Sequence, residues 1–298
     1  MSTTPVNVAL VQHACTGNQA ANLETAIHGI RQAAQQGAQL VVLQELFSQP
    51  YFCQTAEPAH FAQAETVPGV ITDRLGRLAA ELALVIVAPL FERRAAGIYH
   101  NTAVVLERDG TLAGRYRKMH IPDDPGYHEK YYFTPGDPGF EPVPTSLGRL
   151  GVLLCWDQWF PEAARCMALA GADLLIYPTA IGRDPRDSET EQARQRDAWL
   201  TVQRAHAITN CLPVLVCNRV GHERDASGGS AGIQFWGGSC IIGQQGEVLA
   251  TVPGSQPDVL TGVLDLSRNE VLRQQWPFLR DRRVDAYAGL LQRYQDPD

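Results

Sequence analysis

Cys155, Glu45 and Lys118 each close a segment that reads as a short strand. The segments are Val41-Val42-Leu43-Gln44-Glu45, Gly114-Arg115-Tyr116-Arg117-Lys118 and Gly151-Val152-Leu153-Leu154-Cys155. A thiolate attacks carbonyl carbon, a carboxylate can take and return its proton, and an ammonium can stabilise the oxyanion that forms. In open α/β sheets, ligands bind beyond the carboxyl ends of the strands. Parallel neighbours would therefore bring an acid, a cation and a thiol into one pocket. Taken singly, each residue also has a plain structural role. A Cys after an apolar run is most often a small core residue. A strand-end Glu is usually a rim charge, and a strand-end Lys blunts a sheet edge.

The neighbours of these residues change the balance. Leu43-Gln44-Glu45-Leu46-Phe47, Tyr116-Arg117-Lys118-Met119-His120 and Leu153-Leu154-Cys155-Trp156-Asp157-Gln158-Trp159-Phe160-Pro161-Glu162 occur in that order along the chain. In these segments the sequence resembles the nitrilase superfamily of carbon–nitrogen hydrolases, from Val6 to the Arg280–Arg283 tail. The resemblance implies a single-domain α/β fold, a four-layer α-β-β-α sandwich with two mixed sheets. It implies residues 265–298 as a C-terminal extension at an oligomer interface, and a homodimer or higher homo-oligomer. It assigns Cys155 as nucleophile, Glu45 as general base and acid, and Lys118 as stabiliser of thiolate and oxyanion. Glu129, in Tyr127-His128-Glu129-Lys130, matches a second family glutamate that positions Lys118 and the substrate amide. The backbone N–H of Trp156 could be a second oxyanion donor. The chemistry requires no metal and no cofactor, and no H-E-x-x-H spacing occurs.

Substrate choice rests on another segment. Tyr177-Pro178-Thr179-Ala180-Ile181-Gly182-Arg183-Asp184-Pro185 resembles the branch of the family that hydrolyses N-carbamoylputrescine to putrescine, carbon dioxide and ammonia, a step in polyamine synthesis from agmatine. So does His120-Ile121-Pro122-Asp123-Asp124-Pro125-Gly126-Tyr127. In that reading Asp184 meets the distal ammonium of a small carbamoyl substrate, although the family more often carries Glu there. Asp184 could equally cap a turn before Pro185. If Arg183 or Arg186 points inward instead, the site suits a carboxylate, as in a β-ureidopropionase or another N-carbamoyl amino-acid hydrolase. A catalytically silent scaffold of the same fold is the alternative from a different class; the intact Glu45, Lys118 and Cys155 argue against it.

Composition sets the outer limits. The 298 residues are 45% hydrophobic and 19% charged, which excludes disordered, collagenous and disulfide-scaffold classes. The net charge of -7, without a basic block, disfavours nucleic acid and acidic membrane surfaces. Seven cysteines with irregular spacing and no C-x-x-C point to a reducing compartment rather than a disulfide framework. The sequence shows no signal peptide and no apolar run long enough to span a bilayer, so the expected location is the cytoplasm.

The positioning elements follow from local signals. Strands are expected over Val6–Val11, Leu40–Leu43, Leu84–Phe91, His100–Leu106, Leu112–Arg117, Leu150–Cys155, Asp173–Tyr177, Leu212–Cys217, Ser239–Ile242 and Val259–Leu264. Helices are expected from the Asn18 cap to Gln36, over Thr72–Leu82, from Pro161 to Gly171, and over Glu189–Asn210. Asp109-Gly110 marks a hairpin. The proline-rich stretch His120–Pro144 reads as a functional loop. Ser227–Gly238 lacks G-K-[ST] and reads as a loop, not a phosphate cradle.

Overall fold

The computed structural model describes residues 5–225, 228 and 231–296. The strands are β1 Val6–Gln12, β2 Leu40–Leu43, β3 Val85–Ala95, β4 Ile98–Leu106, β5 Leu112–Arg117, β6 Val143–Thr145, β7 Gly148–Val152, β8 Leu174–Pro178, β9 Gly182–Arg183, β10 Val214–Cys217, β11 Val220–Glu223, β12 Ile233–Trp236, β13 Cys240–Ile242, β14 Val248–Thr251 and β15 Asp258–Leu264. The helices are α1 Gln19–Gln35, α2 Val70–Leu82, α3 Pro161–Leu169, α4 Glu189–Asn210 and α5 Arg268–Gln275.

Two six-stranded mixed sheets result, ordered β15-β1-β2-β3-β4-β5 and β14-β13-β10-β8-β7-β6. In the first, β1, β2 and β3 run parallel, β15 and β4 flank them antiparallel, and β5 pairs antiparallel with β4. In the second, β7, β8 and β10 form the parallel centre. Parallel strands are buried on both faces, which is why β2, β8 and β10 are continuous apolar runs rather than alternating ones.

The layers can be read from the cores. Ile27 and Ile30 of α1, and Leu75 and Leu78 of α2, cluster with Val41, Leu43 and Ile86 on one face of the first sheet. The alternate residues Leu10, Val42 and Val87 share a core with the second sheet. The Cys217 thiol lies 3.4 Å from the carbonyls of both Val11 and Val42, which marks the contact between the sheets. Met167 of α3 and Trp199 and Ala207 of α4 complete that core. The architecture is the single-domain α-β-β-α sandwich expected.

The helix boundaries come from caps. The Asn18 side chain accepts from the N–H of Ala21 at 3.1 Å and so opens α1. The Ser188 hydroxyl accepts from Glu191 N at 3.2 Å and opens α4. Two expectations need correction. Within Ser227–Gly238, Ile233–Trp236 is a strand, paired with β11 and β9 in a small third sheet. Residues 227, 229 and 230 of that stretch lie outside the described residues. Also, Leu150–Cys155 is not strand throughout: β7 stops at Val152 and Cys155 begins a 3₁₀ turn.

Leu10 is fully buried in the core shared by the sheets. Replacing it by Ala removes three heavy atoms that the sandwich cannot refill without moving a strand. We expect Leu10→Ala to cost about 2–5 kcal/mol, read as a lower urea midpoint with an unchanged slope.

Candidate active site

Cys155, Glu45, Lys118 and Glu129 come together, but not along one sheet. The strands β2 and β5 are separated within the first sheet by β3 and β4, while β7 lies in the second. The expectation of neighbouring parallel strands is therefore corrected. The chain leaves β2, β5 and β7 into loops that meet where the two sheets face each other.

Lys118 is the centre. Its Nζ lies 2.8 Å from Glu45 Oε1 and 2.7 Å from Glu129 Oε2, and all three side chains are 0% exposed. Burial alone would lower the ammonium's pKa, but Glu129 and Glu45 more than offset this and raise it well above the ordinary lysine range. Lys118 is thus a permanent cation. Glu129 is pushed up by burial and held back by Lys118. Its other oxygen accepts from the Tyr51 hydroxyl at 2.6 Å.

Glu45 Oε1 accepts from both Lys118 and Asn101 Nδ2, each at 2.8 Å. Among the described residues, Glu45 Oε2 has no hydrogen-bond partner despite its burial. Asn101 also accepts the Lys118 backbone N–H at 2.9 Å through its carbonyl, so one residue of β4 sets both partners. Beyond Lys118, Gly136 N donates to the Lys118 carbonyl at 2.8 Å. A Cβ at Gly136 would run into the Arg117 carbonyl, which is why only glycine closes that loop.

Cys155 stands on a tight turn between β7 and α3 with φ +40°, in the left-handed region that costs an L-residue about 1–2 kcal/mol. Asp157 maintains that turn. Its carboxylate accepts from Leu154 N at 2.9 Å and from the Tyr116 hydroxyl at 2.8 Å. It also accepts from His120 N at 3.0 Å and lies 2.7 Å from His120 Nδ1. Tyr116 and His120 bracket Lys118 in sequence, so Asp157 ties the lysine segment to the cysteine turn. The His120 ring stacks on Phe160 with centroids 3.7 Å apart, a packing role that the sequence did not reveal.

The Cys155 thiol is raised well above the ordinary thiol range, first by burial and next by the Glu45 carboxylate; Lys118 pulls it part of the way back. The reason is a charge count. Two carboxylates and one ammonium leave the site at one net negative charge, and a thiolate would add another. If the thiol proton moves to Glu45, the total does not change. A carboxylate with a free oxygen, acting on a nearby thiol under a fixed cation, can perform that transfer and later reverse it.

Cys155 and Trp156 open onto a cleft of about 600 Å³. Asp184 lines the same cleft, as expected, together with Asp124 and Asp187, which sequence reasoning did not single out. Tyr127, Trp159 and Trp236 supply aromatic walls, and no Lys or Arg is among the lining residues. Arg183 lines a separate depression with Arg196 and Glu189. Arg186 is exposed and donates from Nε to both Asp184 oxygens, at 2.9 and 3.1 Å, which holds that carboxyl down at about 2. Among the described residues, no group of three or more His, Cys, Asp or Glu is arranged to hold a metal.

Comparison with known proteins gives the same family. The carbon–nitrogen hydrolase family model matches residues 7–274. The chain belongs to this family. A crystal structure of a carbon–nitrogen hydrolase from Helicobacter pylori G27 superposes with a TM-score of 0.96 and 49% identity, covering 98% of this chain and 100% of that one. An N-carbamoylputrescine amidase of Solanum lycopersicum is 44% identical over 288 residues, 96% of this chain and 95% of that protein. A citrullinase of Francisella tularensis is 38% identical over 290 residues, 97% of this chain and 99% of that protein. This amidohydrolase therefore carries the three sequence signatures on a fold shared by its relatives.

The electrostatics predict opposite shifts for two variants. Glu45→Gln removes a charge that raises the Cys155 thiol, so thiolate should form at lower pH. Lys118→Met removes the charge that lowers it, so thiolate should form at higher pH. The pH dependence of Cys155 alkylation by iodoacetamide, followed by mass spectrometry, reads both directions.

Proposed function

We propose that this chain hydrolyses N-carbamoylputrescine to putrescine, carbon dioxide and ammonia through a covalent intermediate on Cys155. The observation that carries the reading is the cleft: a reactive thiol at its floor, three carboxylates and several aromatic rings on its walls, and no cation among its lining residues. An alkylammonium chain gains from carboxylates and from aromatic faces, whereas a carboxylate end would be repelled. The relative named N-carbamoylputrescine amidase supports the same substrate.

In the proposed mechanism, Glu45 takes the Cys155 proton as the sulfur attacks the carbamoyl carbon. Lys118 and the Trp156 N–H receive the developing oxyanion, and each such donor is worth about 10²- to 10³-fold in rate. Glu45 returns its proton to the departing nitrogen, then takes one from the water that attacks the thiol-bound carbonyl. The sulfur leaves and recovers a proton from Glu45. The carbamic acid released breaks down to carbon dioxide and an amine or ammonia. Glu129 keeps Lys118 in place and faces the substrate amide. Asp184 receives the distal ammonium, with Asp187 and Asp124 adding to the local negative field.

One observation favours a second reading. Arg186, paired with Asp184, would present both charges to an amino-acid end, as in the ureido substrate that the citrullinase relative's name implies, or its cation to the carboxylate of N-carbamoyl-β-alanine. We further propose that the enzyme works in the cytoplasm as a homo-oligomer. The segment 265–296 would pack on a second copy through side chains such as Val284, Leu290 and Tyr294, which are exposed here.

Initial rates with N-carbamoylputrescine, N-carbamoyl-β-alanine and citrulline separate the readings; preference for either amino-acid compound would sink the first. Ammonia release that survives Cys155→Ala would remove Cys155 from the mechanism. Asp184→Asn should raise KM for the amine substrate by up to about fivefold, as loss of a partly exposed charged partner worth about 0–1 kcal/mol implies, with kcat changed far less. Arg186→Ala frees Asp184 and should lower that KM.

A further inference from the structure

Arg219 belongs to none of the family segments quoted above, yet it is among the largest fully buried side chains of the molecule. It follows β10, in the second sheet, and reaches toward the turn after β2, in the first. Its Nη2 lies 3.0 Å from the Glu45 carbonyl, 2.8 Å from that of Leu46 and 3.1 Å from that of Gln49. Its Nη1 donates to Glu223 Oε1 at 2.8 Å, and its guanidinium lies over the Phe235 ring, 5.3 Å from the centroid. The turn it holds includes Leu46 at φ +49°, a conformation that a leucine does not adopt unaided. Glu223 Oε2 in turn accepts from the backbone N–H of Tyr51. Tyr51 is the residue whose hydroxyl holds Glu129.

We propose that Arg219 is a positioning residue for this site, which fixes Glu45 directly through its turn and Glu129 indirectly through Glu223 and Tyr51. The inference rests on the reading of Glu45 as the proton carrier. A burial-only role would be served by an apolar side chain. Here the converging carbonyls demand a donor, and buried carbonyls left without one are costly. Only a planar fork can bond these carbonyls with one nitrogen and the Glu223 carboxylate with the other. Lysine keeps the charge but has no second arm, so the Glu45 turn and the Glu223–Tyr51 link can no longer be held together. Among the described residues, Glu45 Oε2 has no hydrogen bond of its own. Lys118 and Asn101 hold Oε1, and Arg219 holds the backbone from which the side chain springs.

The test is Arg219→Lys, with Glu223→Gln as a second variant and Glu45→Gln as reference. Each is assayed on whichever carbamoyl or amide compound the unaltered enzyme turns over. Iodoacetamide alkylation of Cys155 runs in parallel at its high-pH plateau, where the thiol ionises without Glu45, so that the rate reports an open, intact cleft. We expect Arg219→Lys to lower kcat at least about tenfold, with KM and alkylation rate kept within about threefold. Glu223→Gln places an amide N–H against either Arg219 or Tyr51 N–H, and it should lower kcat at least about threefold with alkylation again retained. Should Arg219→Lys fail to fold, the Glu223→Gln result decides. A lower Tm with unchanged kcat per alkylatable Cys155 would reduce Arg219 to a structural residue and overturn the proposal. A parallel fall in kcat and alkylation would overturn it as well, since that marks collapse of the whole cleft. Full activity of Glu45→Gln would instead sink the reading on which the proposal rests.

Discussion

A single ammonium with no exposure to water is held between two carboxylates that are equally buried. Isolated, any of the three would cost several kcal/mol to bury, and removing one partner from such a set leaves an uncompensated charge. The group survives because every member is satisfied from more than one side: Glu45 by Lys118 and Asn101, Glu129 by Lys118 and Tyr51. The one exception is Glu45 Oε2, which has no hydrogen-bond partner among the described residues. In a low-dielectric site an unpaired carboxylate oxygen is expensive, and an open lone pair is what the proposed proton transfer requires.

The same charge count disfavours a standing thiolate. Cysteine nucleophiles are often activated by a neighbouring cation that keeps them ionised. Here Lys118 is already neutralised twice over, so burial and Glu45 keep the sulfur protonated. In the proposed mechanism, deprotonation then accompanies attack, when negative charge passes from sulfur to the substrate oxygen and the proton waits on Glu45. A resting thiol is also less open to oxidation than a thiolate. The architecture serves this arrangement by holding each participant from its backbone. Asp157 holds the Cys155 turn and the segment around Lys118, and Asn101 holds both Lys118 and Glu45. The parallel strands behind them are rigid because both their faces are buried.

Much of this was legible in the chain. Short apolar runs bounded by turn signals located ten of the fifteen strands among the described residues, eight of them to within two residues at both ends, and Asn18, Pro161 and Gly171 marked helix ends. Cys155, Glu45, Lys118 and Glu129 could be named because the signatures around them are local. What was not legible is what depends on distant parts of the chain. Asn101 sits in an ordinary strand pattern, and its side-chain bond to Glu45 spans 56 residues. Tyr51 meets Glu129 across 78 residues, and Arg219 meets the Glu45 turn across 174. Nothing in composition or periodicity encodes such pairs. β12 was missed because the glycines around Ile233–Trp236 read as a loop, while its pairing to β9 and β11 is tertiary. The gathering of the site residues across two sheets, rather than along one, was hidden for the same reason: strand order is not written in strand sequence.

The remaining degree of freedom is the far end of the cleft, and the local backbone narrows it. Arg183 and Asp184 are adjacent, yet they line different depressions. Successive side chains of an extended segment point to opposite sides, so the pairing of β9 with β12 turns Arg183 away and Asp184 inward. Arg186, two residues on, reaches Asp184 only from the solvent side, where its own side chain is 74% exposed. An exposed ion pair contributes about 0–1 kcal/mol, and Asp184, itself 37% exposed, holds Arg186 no more tightly than that. A substrate amine can therefore displace Arg186 at small cost, while a substrate carboxylate would have to recruit it inward against three acidic side chains. In the proposed reading, the acid that selects the amine is Asp184, and the exposed arginine paired with it gives way.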